Sequence, residues 1–159
     1  MKKVTFRELR LDDIEDTFSI RSRTRQNPIS KEQLAAVGIT PDSVALSMTS
    51  GNMKGWACAY DSTLIGFCIG DSTTGEVLVL AVLSDFEGKG FGSQLLLRVV
   101  QWLRSVGFDQ PWLSASPIQD IRAHGFYRAL GWQPNGKTLE NGDEILVLSP
   151  RSPLQPFLL

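Results

Sequence analysis

The chain has 159 residues, of which 42% are hydrophobic and 21% charged, and its 16 basic and 17 acidic side chains leave a net charge of −1. Two domains of half this length would each bury too little apolar surface, so the sequence predicts one globular domain over residues 1–159. The balanced charge argues against nucleic acid or anionic membranes as general partners. No stretch approaches the roughly 20 apolar residues of a membrane span, and Arg7 and Glu8 interrupt any signal-peptide core. We therefore expect a cytoplasmic protein.

The first half of the chain predicts a strand, three helices and a hairpin. Leu11, Ile14 and Phe18 recur at helical spacing, and Ser30 and Thr40 are typical N-cap residues. The predicted elements are a strand at 4–9, a helix that begins near Asp12, short helices at about 31–37 and 41–48, and hairpin strands at 56–60 and 63–70.

The second half alternates strands with helices. A nearly continuous apolar run predicts a central strand that is covered on both faces of the sheet. Gly107 and Gly131 stand where helices end, and Ser116 with Gln119 has the spacing of a capping box. The predicted elements are strands at 76–83, 110–115, 132–137 and 144–148, helices at 90–106 and 121–130, and a loosely held tail at 150–159. Interleaved strands and helices around a mixed sheet predict an α/β architecture.

The two cysteines, Cys58 and Cys68, lie on the two strands of the predicted hairpin. With the turn at 61–62, Cys68 falls opposite Gly55 and on the other side of the sheet from Cys58. We therefore expect two free, buried thiols. No Cys, His and carboxylate residues show metal-ligand spacing, and His124 is the only histidine, so we expect no metal site.

A glycine-rich segment at 87–92 connects the apolar strand to the long helix. Gly88, Gly90 and Gly92 let an anion approach the backbone, and the first amides of a helix have no intrahelical acceptor. The segment is therefore suited to bind a diphosphate. The alternative is that the glycines only form a tight connection. The spacing fits neither a Walker loop, because Leu83 stands where that loop needs glycine, nor the dinucleotide fingerprint.

Two segments resemble signature motifs of the GNAT superfamily of acetyltransferases. The family's acetyl-CoA motif, Gln/Arg-x-x-Gly-x-Gly/Ala, is matched at 87–92, where Glu87 replaces Gln or Arg. The family's Asn-x-x-Ala-x-x-Phe-Tyr-x-x-x-Gly-Phe segment is matched from Asp120 to Trp132, where Asp120 replaces Asn. The likeness extends over residues 4–148 and implies a mainly antiparallel central sheet of about seven strands with helices on both faces.

The resemblance implies acetyl-CoA as the cofactor, with CoA as a product. Backbone groups of β-strand residues would bind the pantetheine arm, and amides of the glycine-rich segment would hold the pyrophosphate. The implied cofactor-binding residues are Leu80, Ala81, Val82, Glu87, Gly88, Lys89, Gly90, Phe91, Gly92, Asp120, Ala123 and Tyr127. Tyr127 would also protonate the departing CoA thiolate, and its alternative role is packing beside Phe126. Glu87 places a negative charge near the diphosphate, but binding through backbone amides should survive it.

The acceptor side is less defined by the sequence. Glu76 is the candidate catalytic base, although a solvated strand end explains it equally well. His124 lies one helical turn before Tyr127, but a surface histidine is the favoured interpretation. Arg25 and Trp56 are candidate contacts to the acceptor, with a solvated helix end and a core tryptophan as the alternatives.

Arg25 belongs to a cluster with Arg21 and Arg23. If these arginines face the cleft, they favour an acidic or carboxylate-bearing amine.

The sequence therefore predicts an N-acetyltransferase that moves an acetyl group from acetyl-CoA to a primary amine of a small molecule by direct attack. One alternative is a binding module that keeps the CoA cleft without turnover. Another is acetylation of a protein or peptide, which would need an open acceptor groove. The exposed C-terminal strands also make a homodimer an expectation to test, since a free strand edge invites pairing.

Overall fold

The computed structural model of the chain describes residues 3–118 and 122–150. Seven strands form one sheet: β1 (Val4–Glu8), β2 (Met53–Tyr60), β3 (Thr63–Asp71), β4 (Glu76–Val82), β5 (Trp112–Ala115), β6 (Trp132–Thr138) and β7 (Glu144–Leu148). The α-helices are α1 (Ile14–Ser22), α2 (Lys31–Ala36), α3 (Pro41–Thr49), α4 (Phe91–Ser105) and α5 (Arg122–Ala129). The α/β fold is confirmed. Asp120 and residues 151–159 of the predicted tail lie outside the described residues.

Local capping fixes where the short helices begin. The hydroxyl of Ser30 accepts a hydrogen bond from the Gln33 amide, and the Gln33 side chain accepts one from the Ser30 amide. Thr40 and Ser43 form the same reciprocal pair at the start of α3. Each pair satisfies a backbone donor that has no partner within its helix, so the predicted starts are confirmed.

The sheet order is β1-β2-β3-β4-β5-β7-β6, and every neighbouring pair is antiparallel except β4 and β5. These two central strands are parallel, and they are joined at a single register position, Glu76 opposite Trp112. Beyond that position β4 and β5 no longer pair. A gap therefore opens in the middle of the sheet.

Helices cover both faces of the sheet. On one face, Leu95, Val99 and Leu103 of α4 are fully buried against β2 and β3. On the other face, Ile20 of α1 is fully buried beside Phe67 of β3. No helix within the described part of the chain is both long and apolar enough to cross a membrane.

The expected register of the β2–β3 hairpin is wrong beyond its turn. Pairing shifts between Cys58 and Ala59, so that Ile65 becomes the extra residue of a β-bulge. Cys68 therefore lies opposite Trp56, and it shares the α4-facing core with Cys58 instead of lying on the other side of the sheet. One inserted residue exchanges the two faces of a strand, and no local sequence signal marks it.

Both thiols are nonetheless free and buried, as predicted. Burial raises the pKa of Cys58 to about 11 and raises the pKa of Cys68 well above its ordinary range.

Candidate active site

The gap between β4 and β5 opens into a cavity of about 760 Å³. This volume lies in the range of small-molecule and cofactor sites. Residues 77–82 of β4 form one wall and residues 113–116 lie on the other. The end of α1, the loop before α4 and the start of α5 complete the lining.

The loop before α4 has the backbone that the glycine-rich segment predicted. Gly88 and Gly90 have φ angles of +75° and +84°, which other residues adopt only with strain. A Cβ atom built on either glycine would meet no atom within 4 Å, so the space beside the loop is open. Gly90 is the N-cap of α4, whose first amides have no intrahelical acceptor. The loop thus offers free N–H donors and the positive end of a 15-residue helix to an anion.

Glu87, the residue that departs from the family motif, is paired with two arginines. Its Oε2 atom lies 3.1 Å from Nη2 of Arg25 and 3.2 Å from Nε of Arg122. The amide of Arg122 also donates to Oε1 of Gln26 at 2.8 Å. The Glu87 side chain is only 17% exposed, and its negative charge is compensated from both sides.

This contact set joins three segments around the cavity. Arg25 and Gln26 follow α1, Glu87 precedes the glycines and Arg122 begins α5. We call this group the Glu87 clasp. Sequence reasoning did not identify Arg122 or Gln26, because their contact spans 96 positions and leaves no spacing signal.

The free edge of β4 is placed where a pantetheine arm could bind. Leu80, Ala81 and Val82 all line the cavity. On one side they pair with β3, as in Ala81 opposite Phe67. On the side toward β5 they have no strand partner, so backbone donors and acceptors at this edge are open to a ligand.

Tyr127 lies on α5 and lines the cavity with Ala123 and Phe126. Its ring packs 5.2 Å from that of Phe126 and 6.1 Å from that of Trp132, measured between centroids. Nothing within residues 3–118 and 122–150 hydrogen-bonds to its hydroxyl group. Burial, with a smaller contribution from Cys68, raises the pKa of Tyr127 above the usual value for a phenol. The hydroxyl is therefore a protonated donor at neutral pH.

Several predicted site residues lie outside the cavity lining. Lys89 is exposed, and the His124 carbonyl accepts from Arg128 at 3.2 Å. Trp56 packs on Trp102 with ring centroids 6.5 Å apart on the α4 face. Trp56 therefore packs against the core beneath α4 and does not line the cavity, and its contact with the acceptor stays a prediction.

Glu76 stands at the closed end of the gap, where β4 meets β5. It does not line the cavity, but Val77, the next residue, does. Burial, and secondly the charge of Asp71, raise the pKa of Glu76. Because Glu76 does not line the cavity, a proton from an acceptor in the cavity would reach its carboxylate only through a water molecule.

Of the clustered arginines, Arg21 and Arg25 line the cavity, whereas Arg23 lies outside it and donates to the Ser19 carbonyl at 3.3 Å. Polar residues that sequence reasoning did not single out complete the lining on the β5 and β7 side. They are Ser114, Ser116, Asn141 and Asp143.

The sequence profile of the Acetyltransferase (GNAT) family matches residues 14–132. No curated protein matches the sequence. The fold is similar to the PaiA N-acetyltransferase from Thermoplasma acidophilum, solved with coenzyme A, with a TM-score of 0.75, 19% identity and coverage of 92% of this chain and 99% of that one. For the ribosomal-protein-S18-alanine N-acetyltransferase from Escherichia coli the TM-score is 0.62 at 19% identity, with 92% and 93% covered.

A third solved structure, yncA from Salmonella typhimurium with its cofactor acetyl-CoA, has a TM-score of 0.68 at 14% identity and coverage of 92% and 94%. At these sequence identities the structural similarity shows only that the fold is shared. The family itself follows from the sequence match, which spans most of the chain and includes both the glycine-rich loop and α5. This chain belongs to the acetyltransferase (GNAT) family.

Proposed function

We propose that the protein transfers the acetyl group of acetyl-CoA to a primary amine of a small molecule by direct attack. The supporting observation is the continuity of the site: the loop at 87–92 opens directly into the gap between β4 and β5. Amides of this loop would hold the diphosphate, and the free edge of β4 would hold the pantetheine arm. Both fit acetyl-CoA, which supplies an activated acetyl thioester.

Side chains of the protein would carry out the proton transfers of the reaction. As the amine nitrogen bonds to the acetyl carbon and the C–S bond breaks, Tyr127 donates its proton to the departing sulfur. A proton from the nitrogen leaves to water, and the tyrosinate recovers its own from solvent. Two observations support this role: Tyr127 lines the cavity, and its hydroxyl has no hydrogen-bond partner among the described residues.

Glu76 remains our proposal for the group that accepts the amine proton, through one water molecule. Glu76→Gln should lower kcat/KM without changing the affinity for acetyl-CoA, because the closed end of the gap is far along β4 from the loop. An unchanged kcat/KM would contradict the role.

The cofactor site is tested by calorimetric titration with acetyl-CoA and with CoA. Gly90→Glu places bulk and negative charge where the loop is open and should weaken binding at least about 100-fold. Gly38→Glu is the matched control, since Gly38 has the same φ of +84°, equally open surroundings and no place in the cavity lining. Absence of binding to the unchanged protein, or equal losses in the two variants, would overturn the proposal.

We also infer a cytoplasmic site of action and keep the homodimer as a prediction. In the described sheet, β6 is an edge strand, so one of its sides has no strand partner there. Pro134 and Lys137 on this strand oppose pairing, because proline lacks an amide donor and lysine adds charge. Light scattering decides whether the mass is that of one chain or of two.

A further inference from the structure

Within the described part of the chain, the ionised side chains that line the cavity are three arginines and two carboxylates, Arg21, Arg25, Arg122, Glu87 and Asp143. These five side chains carry an excess of one positive charge, three minus two. Arg25 and Arg122 are both held by Glu87. Asp143 is engaged in its own turn, where it accepts from Asn141 at 3.4 Å.

Among these three arginines, Arg21 is the one that Glu87 does not hold. Its guanidinium forms no hydrogen bond or ion pair with residues of the described ranges 3–118 and 122–150. Its backbone carbonyl is used, since it accepts from the Ile29 amide at 3.0 Å and from the Thr24 hydroxyl at 3.4 Å. These bonds hold the chain that follows α1, and they do not involve the Arg21 side chain.

The surroundings of Arg21 make an unpaired charge costly. Ile20, its neighbour, is fully buried against the sheet, so α1 cannot turn to release Arg21 into solvent without exposing that side chain. Burial lowers the pKa of Arg21, and no nearby carboxylate offsets this effect. A desolvated guanidinium is stabilised most by an anion that accepts two parallel hydrogen bonds, and a carboxylate has that geometry.

Arg21 and the cofactor loop belong to elements on different faces of the sheet. Helix α1 packs on the face of the sheet opposite α4, as shown by the core that Ile20 shares with Phe67. The glycine-rich loop leads into α4. Arg21 therefore lines the cavity from the helix that packs on the other face of the sheet, and it is Arg25, four residues later, that pairs with Glu87 of the loop.

We propose that Arg21 binds a carboxylate group of the acceptor, so that the substrate is a primary amine that also carries a carboxylate, such as an amino acid. This inference rests on the proposed acetyl transfer, which supplies the other half of the reaction. Arg21 is then a specificity-determining residue, and the ion pair it forms holds the amine end of the acceptor toward the gap.

The test compares each common amino acid with its carboxamide as acceptor, and a thiol reagent measures the released CoA. The two cysteines of the protein are buried, so the reagent reports CoA. We expect kcat/KM to be at least about tenfold higher for an acid than for its amide. Arg21→Gln should remove most of this preference by raising KM for the acid about 10- to 100-fold, with little change for the amide.

Arg23→Gln is the matched control, because it removes the same charge two residues away and outside the cavity lining. It should leave both acceptors unchanged. Arg21→Lys keeps the positive charge but cannot donate two parallel hydrogen bonds, so it should retain part of the preference for the acid. Such partial retention would show that the loss in Arg21→Gln does not come from misfolding.

A binding measurement covers the case in which no tested amine is turned over. The CoA-loaded protein is titrated with N-acetylglycine and with N-acetylglycinamide, and Arg21→Gln should abolish the preference for the acid. Equal use or equal binding of acid and amide would overturn the inference, and so would a loss of acetyl-CoA affinity in Arg21→Gln. Failure of the acetyltransferase proposal has a different result, namely no acetyl-CoA binding and no CoA release with any amine.

Discussion

Among the described residues that line the cavity, Tyr127 is the one aromatic residue with a hydroxyl group, and this allows a test at the scale of one atom. Tyr127→Phe keeps the ring packing against Phe126 and Trp132 but removes the donor. We expect kcat to fall about 100-fold while the affinity for acetyl-CoA stays within about threefold. Tyr60→Phe, which removes the other tyrosine hydroxyl, is the control.

The pKa of Tyr127 also predicts a pH profile. Because burial raises this pKa, the phenol stays protonated to higher pH than free tyrosine, whose pKa is about 10. The rate should therefore rise with pH as the acceptor amine loses its proton, with no descending limb below about pH 10. A fall in kcat between neutral pH and pH 10 would argue against Tyr127 as the acid.

A second residue-scale prediction concerns Asp13, which fixes the start of α1 to β1. Its carboxylate accepts from Nη1 and Nη2 of Arg7 at 2.8 and 3.0 Å and from the Arg10 amide at 2.8 Å. These bonds, mainly those from Arg7, lower the pKa of Asp13 below its ordinary 3.8. Asp13→Asn should therefore lower the free energy of unfolding by about 2 kcal/mol at neutral pH, measured in urea.

The pH dependence of that loss follows from the direction of the shift. A depressed pKa contributes stability that is fully present above 3.8 and is lost as the pH falls below this value toward the folded-state pKa. The difference between Asp13→Asn and the unchanged protein should shrink in the same window. Asp12→Asn, at the exposed neighbouring carboxylate, should have little effect at any pH.

At the scale of elements, sequence patterns predicted what local chemistry determines. The capping pairs at Ser30 and Thr40 and the glycine at the start of α4 are each specified within a few residues, and these helices were predicted to within one or two positions. The bulge at Ile65 has no such local signal, because it depends on how two strands fit against α1 and α4 together. Because the bulge was not predicted, the predicted pairing of Cys68 with Gly55 is wrong.

The residues of the candidate site also fall into two groups, those that a local motif identifies and those that only the folded chain brings together. A motif of contiguous residues identified the glycines of the loop. The partners of Glu87 were not identifiable, since Arg25 and Arg122 come together only when α1, the loop and α5 have docked. The cluster with Arg23 and Arg25 made Arg21 a candidate to face the cleft, but only the structure shows that its side chain has no partner among residues 3–118 and 122–150.

The Glu87 clasp gives a prediction at the scale of elements, because it joins the segment after α1 to the loop and to α5. Arg122→Gln leaves the negative charge of Glu87 less compensated beside the proposed diphosphate site, so acetyl-CoA binding should weaken about tenfold. Glu87→Gln in the same chain should restore most of the loss, since the charge that required compensation is gone. A double-mutant cycle by calorimetry measures this coupling. Additive losses in the cycle would show that Arg122 acts on the cofactor without Glu87.

On the scale of the whole molecule, the sheet consists of two parts, β1 to β4 and β5 to β7, that share one paired position, Glu76 with Trp112. The cavity occupies the space where further pairing would otherwise join them. A ligand that contacts the free edge of β4 and the residues of β5 therefore replaces missing cross-links between the two parts. Cofactor binding should thus stabilise the C-terminal part more than the N-terminal part.

Acetyl-CoA at about 100 times its Kd contributes roughly 2.7 kcal/mol, which for a chain of this size corresponds to a rise in Tm of about 5–10 °C. Hydrogen exchange should slow in β4, β5 and β7, while amides of the β1–β2 pair, which lie away from the gap, change little. Gly90→Glu should lose both effects and Gly38→Glu should keep them, since only the first lies at the cavity. An equal increase in the hydrogen-exchange protection of β1 and β5 would contradict the prediction. It would mean that the two parts of the sheet already unfold as one unit without the cofactor.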